Sequence, residues 1–183
     1  MGIGVEQVYF SVPDTKSAHN TLRDILVFSG REYTENAFTI REPIPDYNFE
    51  RHKMRYFVLA EYSRGLCCLT EAGDVADWNL AVKLATTLKE SVRVVALFEA
   101  VNAWGHIDIS AEGDINKKLF PEAAWHNNPL ESELDWPGDA TEQAWKYAEK
   151  SSLPNPFLSY TQHRLGNFAT NPLRIWWMGF KRK

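Results

Sequence analysis

The sequence lacks any apolar run that approaches the ~20 residues needed to cross a membrane as a helix. It also lacks, in its opening residues Met1-Gly-Ile-Gly-Val-Glu, a basic stretch followed by an apolar one, so no secretory signal is expected. Its two cysteines, Cys67 and Cys68, are adjacent, and neighbours on an extended strand point to opposite faces. A disulfide between them would be strained, and we therefore expect a protein of the cytoplasm, a reducing compartment, with no membrane partner.

Local motifs of catalysis are missing as well. No glycine-rich phosphate loop follows a predicted strand, and the five histidines are scattered singly. There is no CxxC or HxxxH spacing for a metal and no nucleophile elbow. We expect no metal and no cofactor. Either cysteine could be a reactive thiol or half a metal site, but a buried, small hydrophobic side chain is the simpler interpretation.

What the sequence does contain is enough apolar material for a core. The chain has 183 residues, of which 44% are hydrophobic and 24% charged, with a net charge of -4. A chain of this length buries about 70% of its unfolded surface, so disorder is excluded and one domain over residues 1–183 is expected. The acidic balance argues against nucleic acid as a partner, because phosphate contacts need clustered positive charge.

Strand-like and helix-like patterns alternate along the chain and predict an α+β fold: a mainly antiparallel sheet with two or three helices packed on it. Helices are predicted from an Asp14 cap to Gly30, over about Val75–Glu90 after an Asp74 cap, and from Ala140 to about Lys150. Within the second helix, the predicted buried residues are Trp78, Ala81, Val82, Ala85 and Leu88. Strands are predicted over Val5–Val12, Ala37–Arg41, Arg55–Tyr62, Leu66–Glu71, Val92–Glu99, Trp104–Ser110 and Leu173–Phe180, with Ile115–Phe120 short and irregular.

The last predicted strand interleaves aromatic and basic residues. Such a composition also occurs in segments that stack on nucleic acids or lie at membrane interfaces. Its alternation favours a strand, with Trp176, Met178 and Phe180 on one face. The three charges of Lys181-Arg182-Lys183 would keep an edge strand soluble.

An acidic segment from Glu122 to Glu142 is the strongest charge feature, and we expect a surface loop over about residues 121–139. Its carboxylates, with no Lys or Arg among them, are Glu122, Glu131, Glu133, Asp135, Asp139 and Glu142, and its tryptophans are Trp125 and Trp136. Aromatic residues supply buried anchors in protein interfaces, and carboxylates steer a basic surface into contact. This composition favours a basic protein partner. The alternative is a solvated loop whose tryptophans fold back onto the core.

A second set of residues, on one face of the strand Trp104–Ser110, suggests different chemistry. Alternation places His106, Asp108 and Ser110 together, with Ile107 and Ile109 on the other face. A histidine, a carboxylate and a hydroxyl could form an acid–base set, which gives an enzyme or a small-molecule binder as the alternative function. The simpler interpretation is that the isoleucines face the core and the polar residues face water.

One stretch of the chain resembles a known kind of protein. The helix that starts Trp78-Asn-Leu-Ala-Val-Lys, the strand after it and Trp104-Gly-His-Ile-Asp-Ile are similar to a pattern of small bacterial toxin-immunity proteins, over about residues 74–114. Such proteins are encoded beside secreted or contact-delivered toxins and are not enzymes. The resemblance implies a cytoplasmic inhibitor that occludes a toxin domain, and it carries over no functional residues.

Overall fold

A computed structural model describes residues 4–28, 31–35, 54–62, 65–71, 78–98, 102–119, 139–154, 166–168 and 170–182. These residues form three helices, α1 (Thr15–Phe28), α2 (Trp78–Leu88) and α3 (Ala140–Lys150). None of these helices combines the length and the apolar character that crossing a membrane requires. The strands are β1 (Gly4–Ser11), β2 (Arg31–Glu35), β3 (Met54–Glu61), β4 (Leu66–Glu71), β5 (Val92–Phe98), β6 (Ala103–Ile109), β7 (Ile115–Leu119) and β8 (Arg174–Arg182).

The described strands form one sheet in the order β2-β8-β3-β4-β1-β5-β6-β7, and every neighbouring pair is antiparallel. The predicted α+β fold with a mainly antiparallel sheet and packed helices is therefore confirmed. Both predicted hairpins, β3–β4 and β5–β6, are present. The predicted strand Ala37–Arg41 and the Asp74 cap lie outside the described residues. The segment expected to be irregular contains β7, which pairs with β6 across a bulge between His106 and Ile107.

The charged end of β8 suggested an edge strand, but β8 lies inside the sheet. It pairs with β2 on one side and with β3 on the other. Met178 and Phe180 are fully buried as a result, and Phe180 meets Phe57 edge-on at 5.8 Å between ring centroids. The prediction was wrong because the neighbours of a strand are set by pairing with distant segments, which its own sequence does not specify.

Helices α1 and α2 contact each other and cover one face of the sheet. Ala18, Leu22 and Leu26 of α1 are buried there, as their helical spacing indicates. In α2 the predicted stripe is only partly right. Ala81 and Ala85 are buried, but the core leucines are Leu80 and Leu84, whereas Val82 and Leu88 are only partly buried at its margin. The side chain of Trp78 lies outside the described set.

Helix α3 lies on the opposite face, over β5 and β6. Its contact stripe is Ala140, Ala144 and Ala148, one residue per turn and all fully buried. Side chains this small let the helix backbone approach the sheet closely. The sheet is thus covered on both faces at β5 and β6, which makes this part of the molecule three layers deep.

The turn before β4 depends on a glycine. Gly65 has φ +73, and an added Cβ would lie 2.0 Å from the carbonyl oxygen of Val12. The same close approach allows the Val12 N–H to donate a hydrogen bond to the Gly65 carbonyl at 3.0 Å. A residue with a side chain is therefore excluded at position 65, both by the positive φ and by the close approach to Val12. The glycine thus allows the hydrogen bond that joins the β3–β4 hairpin to the end of β1.

Candidate functional site

The acidic segment is described by the structure only at its end. Glu122, Trp125, Glu131, Glu133, Asp135 and Trp136 lie outside the described residues, so their role as an interface stays a prediction. Asp139 is described and is exposed. It is the N-cap of α3, where its carboxylate accepts a hydrogen bond from the Glu142 N–H at 3.1 Å. The predicted cap at this position is confirmed, and it sets the direction in which the chain enters the helix.

A second contact fixes the start of α3 to the β5–β6 turn. The N–H of Ala140 donates to Asn102 Oδ1 at 2.9 Å, and Asn102 has φ +47, a left-handed conformation that asparagine tolerates well. One turn along the helix, Trp104 Nε1 donates to Gln143 Oε1 at 3.3 Å. The point at which the acidic segment joins the fold is therefore held by side-chain hydrogen bonds to the sheet.

The outward side of α3 carries a large aromatic residue that the sequence analysis did not select. Trp145 retains 43% of its accessible surface, and it is among the few large hydrophobic side chains that are exposed in the described residues. Glu142 and Glu149, both exposed, lie three residues before it and four after it. Lys146 forms an ion pair with Glu142. The spacing of Ala140, Ala144 and Ala148 was the available signal, because it defines the buried stripe and leaves Trp145 off it.

The polar face of β6 is not exposed to solvent at His106, contrary to the prediction. Alternation does place Trp104 and His106 on one face and the isoleucines on the other, but His106 is only 9% exposed because α3 covers this face. The His106 ring stacks on Tyr147 of α3 with centroids 4.4 Å apart, and Tyr147 also meets Trp104 at 5.3 Å. The prediction that these polar residues face water assumed a single buried face, which a helix on the second face overturns.

Asp108 is engaged by an arginine on the neighbouring strand. Arg93 and Asp108 are directly opposite in the β5–β6 register, and Arg93 Nε donates to Asp108 Oδ1 at 2.7 Å. The guanidinium carbon of Arg93 lies 5.9 Å from the centroid of the Tyr147 ring. Burial, the largest single effect, lowers the pKa of Arg93, but the hydrogen bond to Asp108 and the charge interactions with Tyr147 and Asp108 together outweigh it, so the pKa is raised. Asp108 is therefore held as one half of an ion pair, with both side chains about one third exposed.

A groove of about 560 Å³ opens beside this ion pair. It lies at one end of the sheet, where β1 ends, β5 begins and β6 ends, and it also meets the segments that follow α2 and α3. Among its lining residues are Ser11, Glu90, Arg93, Asp108, Ser151 and Ser152. This volume is within the range of small-molecule sites. Asp108 thus lines a groove, whereas its predicted companion His106 is buried beneath α3.

The two cysteines are free thiols on opposite sides of the sheet, one in the core under α1 and α2 and the other in the core under α3. Burial raises the pKa of the Cys68 thiol to about 12, so this thiol is protonated at neutral pH. A protonated, buried thiol is neither a nucleophile nor a metal ligand. Within the described ranges, no cluster of His, Cys, Asp or Glu side chains is arranged to hold a metal ion.

Comparisons with protein-family models, curated proteins and solved structures find no match for this chain. The resemblance to toxin-immunity proteins therefore depends on the residues quoted for it in the sequence analysis. Two features of the described residues could bind a partner or a ligand, the outward side of α3 and the groove at the end of the sheet.

Proposed function

We propose that this protein is a cytoplasmic binding protein that inhibits a basic protein partner by occlusion. The surface that we propose consists of the acidic segment and the outward side of α3. A bacterial toxin domain is the partner that the resemblance to immunity proteins implies. The observation that carries the proposal is that Trp145 is exposed between Glu142 and Glu149, on the helix into which the acidic segment leads.

The physical case is the combination of an aromatic residue with charge of one sign. Tryptophan is enriched among the residues that contribute most to binding, because its large surface is desolvated at the centre of an interface. Carboxylates around it raise the association rate of a basic partner and orient it. Between residues 121 and 143 the chain has six carboxylates and no Lys or Arg. On α3 itself this charge is offset by Lys146, which pairs with Glu142, and by the exposed Lys150, so the negative charge of the surface comes from the acidic segment.

The proposed compartment has separate support. Both cysteines are free thiols, a state that a reducing compartment maintains. Free, buried thiols are compatible with the cytoplasm, where an immunity protein would meet an incoming toxin domain.

The alternative function has two parts, an enzyme and a small-molecule binder, and both would use His106 and Asp108. The stack of His106 with Tyr147 and the ion pair of Asp108 with Arg93 give both side chains a packing role and weaken the acid–base interpretation. The groove lined by Asp108 favours the small-molecule part of that alternative.

Binding kinetics with the partner obtained by co-purification test the proposal. A triple reversal of Glu131, Glu133 and Asp135 to Lys should lower the association rate at low salt, and high salt should remove the difference because it screens exposed charges. Trp145→Ala should instead raise the dissociation rate, with a loss of about 2 kcal/mol or more if it is a central anchor.

A matched control changes the same charge elsewhere. Asp24, Glu112 and Asp114 are exposed acids away from α3, and their triple reversal to Lys should leave the association rate much closer to that of the unmodified protein. If both triple variants slow association equally, only net charge matters. If the first variant and Trp145→Ala both bind normally, the binding surface lies elsewhere and the proposal is wrong.

A further inference from the structure

Two helices on opposite faces of the sheet end at the same groove. The segment after α2 contributes Glu90 and Ser91 to its lining, and the segment after α3 contributes Ser151 and Ser152. The carboxyl end of a helix carries a partial negative charge of at most about half an elementary charge. At the end of α3 part of this charge is offset, because the carbonyls of Tyr147, Ala148 and Glu149 accept hydrogen bonds from the N–H groups of residues 151–153. The groove therefore receives two such ends, from α2 and from α3.

Side chains add to this negative potential. Among the described residues that line the groove, three side chains are charged: the carboxylates of Glu90 and Asp108 and the guanidinium of Arg93. Since Arg93 is paired with Asp108, the charge of Glu90 is the one left over, and Glu90 makes no ion pair with any described residue. Lys89 and Lys150, the basic residues nearest the helix ends, are exposed and are not among the lining residues.

We infer that this groove binds an organic cation, with an ammonium or guanidinium group held near Glu90. The paired Arg93 is already balanced by Asp108, so a bound anion would meet one unpaired carboxylate and two helix ends of the same sign. A bound cation would be attracted by the Glu90 carboxylate and by both helix ends. Serine hydroxyls in the lining, such as Ser11 and Ser91, offer oxygen acceptors for its N–H groups.

This cation has two possible sources, a Lys or Arg side chain of another protein or a free polyamine. The inference does not depend on the proposed partner surface. The acidic segment joins α3 at Asp139, and the groove lies at the other end of this 11-residue helix, about 16 Å away at 1.5 Å per residue. Either proposal can therefore fail while the other stands.

The test is a titration of the full-length protein followed by amide ¹H–¹⁵N spectra, with three probes. Spermidine represents the free polyamine, N-acetyl-trilysine amide represents a basic side chain, and inorganic phosphate is the anionic comparison. Binding of either cation should shift the amides of Ser91, Arg93 and Ser152 and should weaken as salt is added. The cation that binds more tightly identifies the source.

Glu90→Gln removes the unpaired charge with little change of shape, and Glu112→Gln is its control, an exposed acid outside the groove. The first variant should lower cation affinity by about five- to tenfold, as expected for a charged hydrogen bond that solvent partly screens, and the control by less than twofold. A thermal melt shows that both variants are folded. If neither cation shifts groove amides, if phosphate alone does so, or if Glu90→Gln binds as well as the control, the inference is wrong.

Discussion

His106 gives the sharpest test of how α3 is packed. Read from the sequence alone, replacing His106 and Asp108 with Asn would change stability little, since both residues were expected to face water. The structure reverses this expectation for one of them. His106→Ala should be clearly destabilising, His106→Phe should recover much of the loss because it keeps an aromatic ring against Tyr147, and Asp108→Asn should have a small effect.

The magnitudes follow from the contacts. His106 is 9% exposed and stacks on Tyr147 at 4.4 Å and on Trp104 at 6.0 Å. An aromatic pair contributes about 0.5–1.5 kcal/mol beyond burial, and the space left by the ring adds to this, so we expect His106→Ala to cost about 2 kcal/mol. The ion pair of Asp108 with Arg93 is about one third exposed on both sides, and pairs screened by solvent contribute about 0.5 kcal/mol.

Urea titration and thermal melting measure these differences. In a domain of this size 1 kcal/mol moves Tm by about 2–4 °C, so His106→Ala should lower it by about 4–8 °C and Asp108→Asn by about 1–2 °C. Lys83→Ala, at an exposed position of α2, provides the baseline. If His106→Ala has the same Tm as Lys83→Ala, then α3 does not cover β6 in the way that the structure shows. If His106→Phe is no better than His106→Ala, the ring stack is not the source of the stability.

Two further predictions concern the two cores. Leu84→Ala should cost about 2–5 kcal/mol in urea titration because Leu84 is fully buried, and Leu88→Ala, at a partly buried position one turn later, should cost clearly less; equal losses would contradict the observed orientation of α2. In the native protein at pH 8 neither thiol should react with a disulfide reagent, and both should react in urea, because Cys67 is buried and burial raises the pKa of the Cys68 thiol to about 12. The stability contributed by protonated Cys68 should be present below the thiol pKa of the unfolded chain, near 8.5, and be lost as pH rises toward 12; rapid labelling of one thiol at pH 8 would contradict this.

Much of the fold could be predicted because its signals are local. The apolar, β-branched run of β5 and the alternation of β6, with a short turn between them, define a hairpin without reference to the rest of the chain. The helix cap at Asp139 is readable in the same way, since the side chain acts on a backbone N–H three residues later. The features predicted correctly are those in which cause and effect lie within a few residues.

Two of the errors, at β8 and at β6, have a common physical origin, which is packing between distant segments. Nothing within the sequence of β8 specifies that it lies between β2 and β3 rather than at an edge. Likewise, the sequence of β6 predicts a solvent-facing polar side, but α3, more than thirty residues later in the chain, packs on that side. The alanine stripe of α3 was visible in the sequence, but its partner was not, and this partner decides whether His106 is a surface residue or a core residue.

The two proposals can be separated because they depend on different side chains, Trp145 in the middle of α3 and Glu90 in the groove. Trp145 belongs to the outward side of the helix, and Glu90 belongs to the groove at its far end. Substitutions that are well separated and share no contacts usually have additive effects. If a lysine or arginine of the same basic partner occupied the groove, Trp145→Ala and Glu90→Gln would each weaken that complex, and the double variant would show the sum of the two losses. If the groove instead takes a free polyamine, Glu90→Gln should leave the partner complex unchanged and reduce only the binding of spermidine.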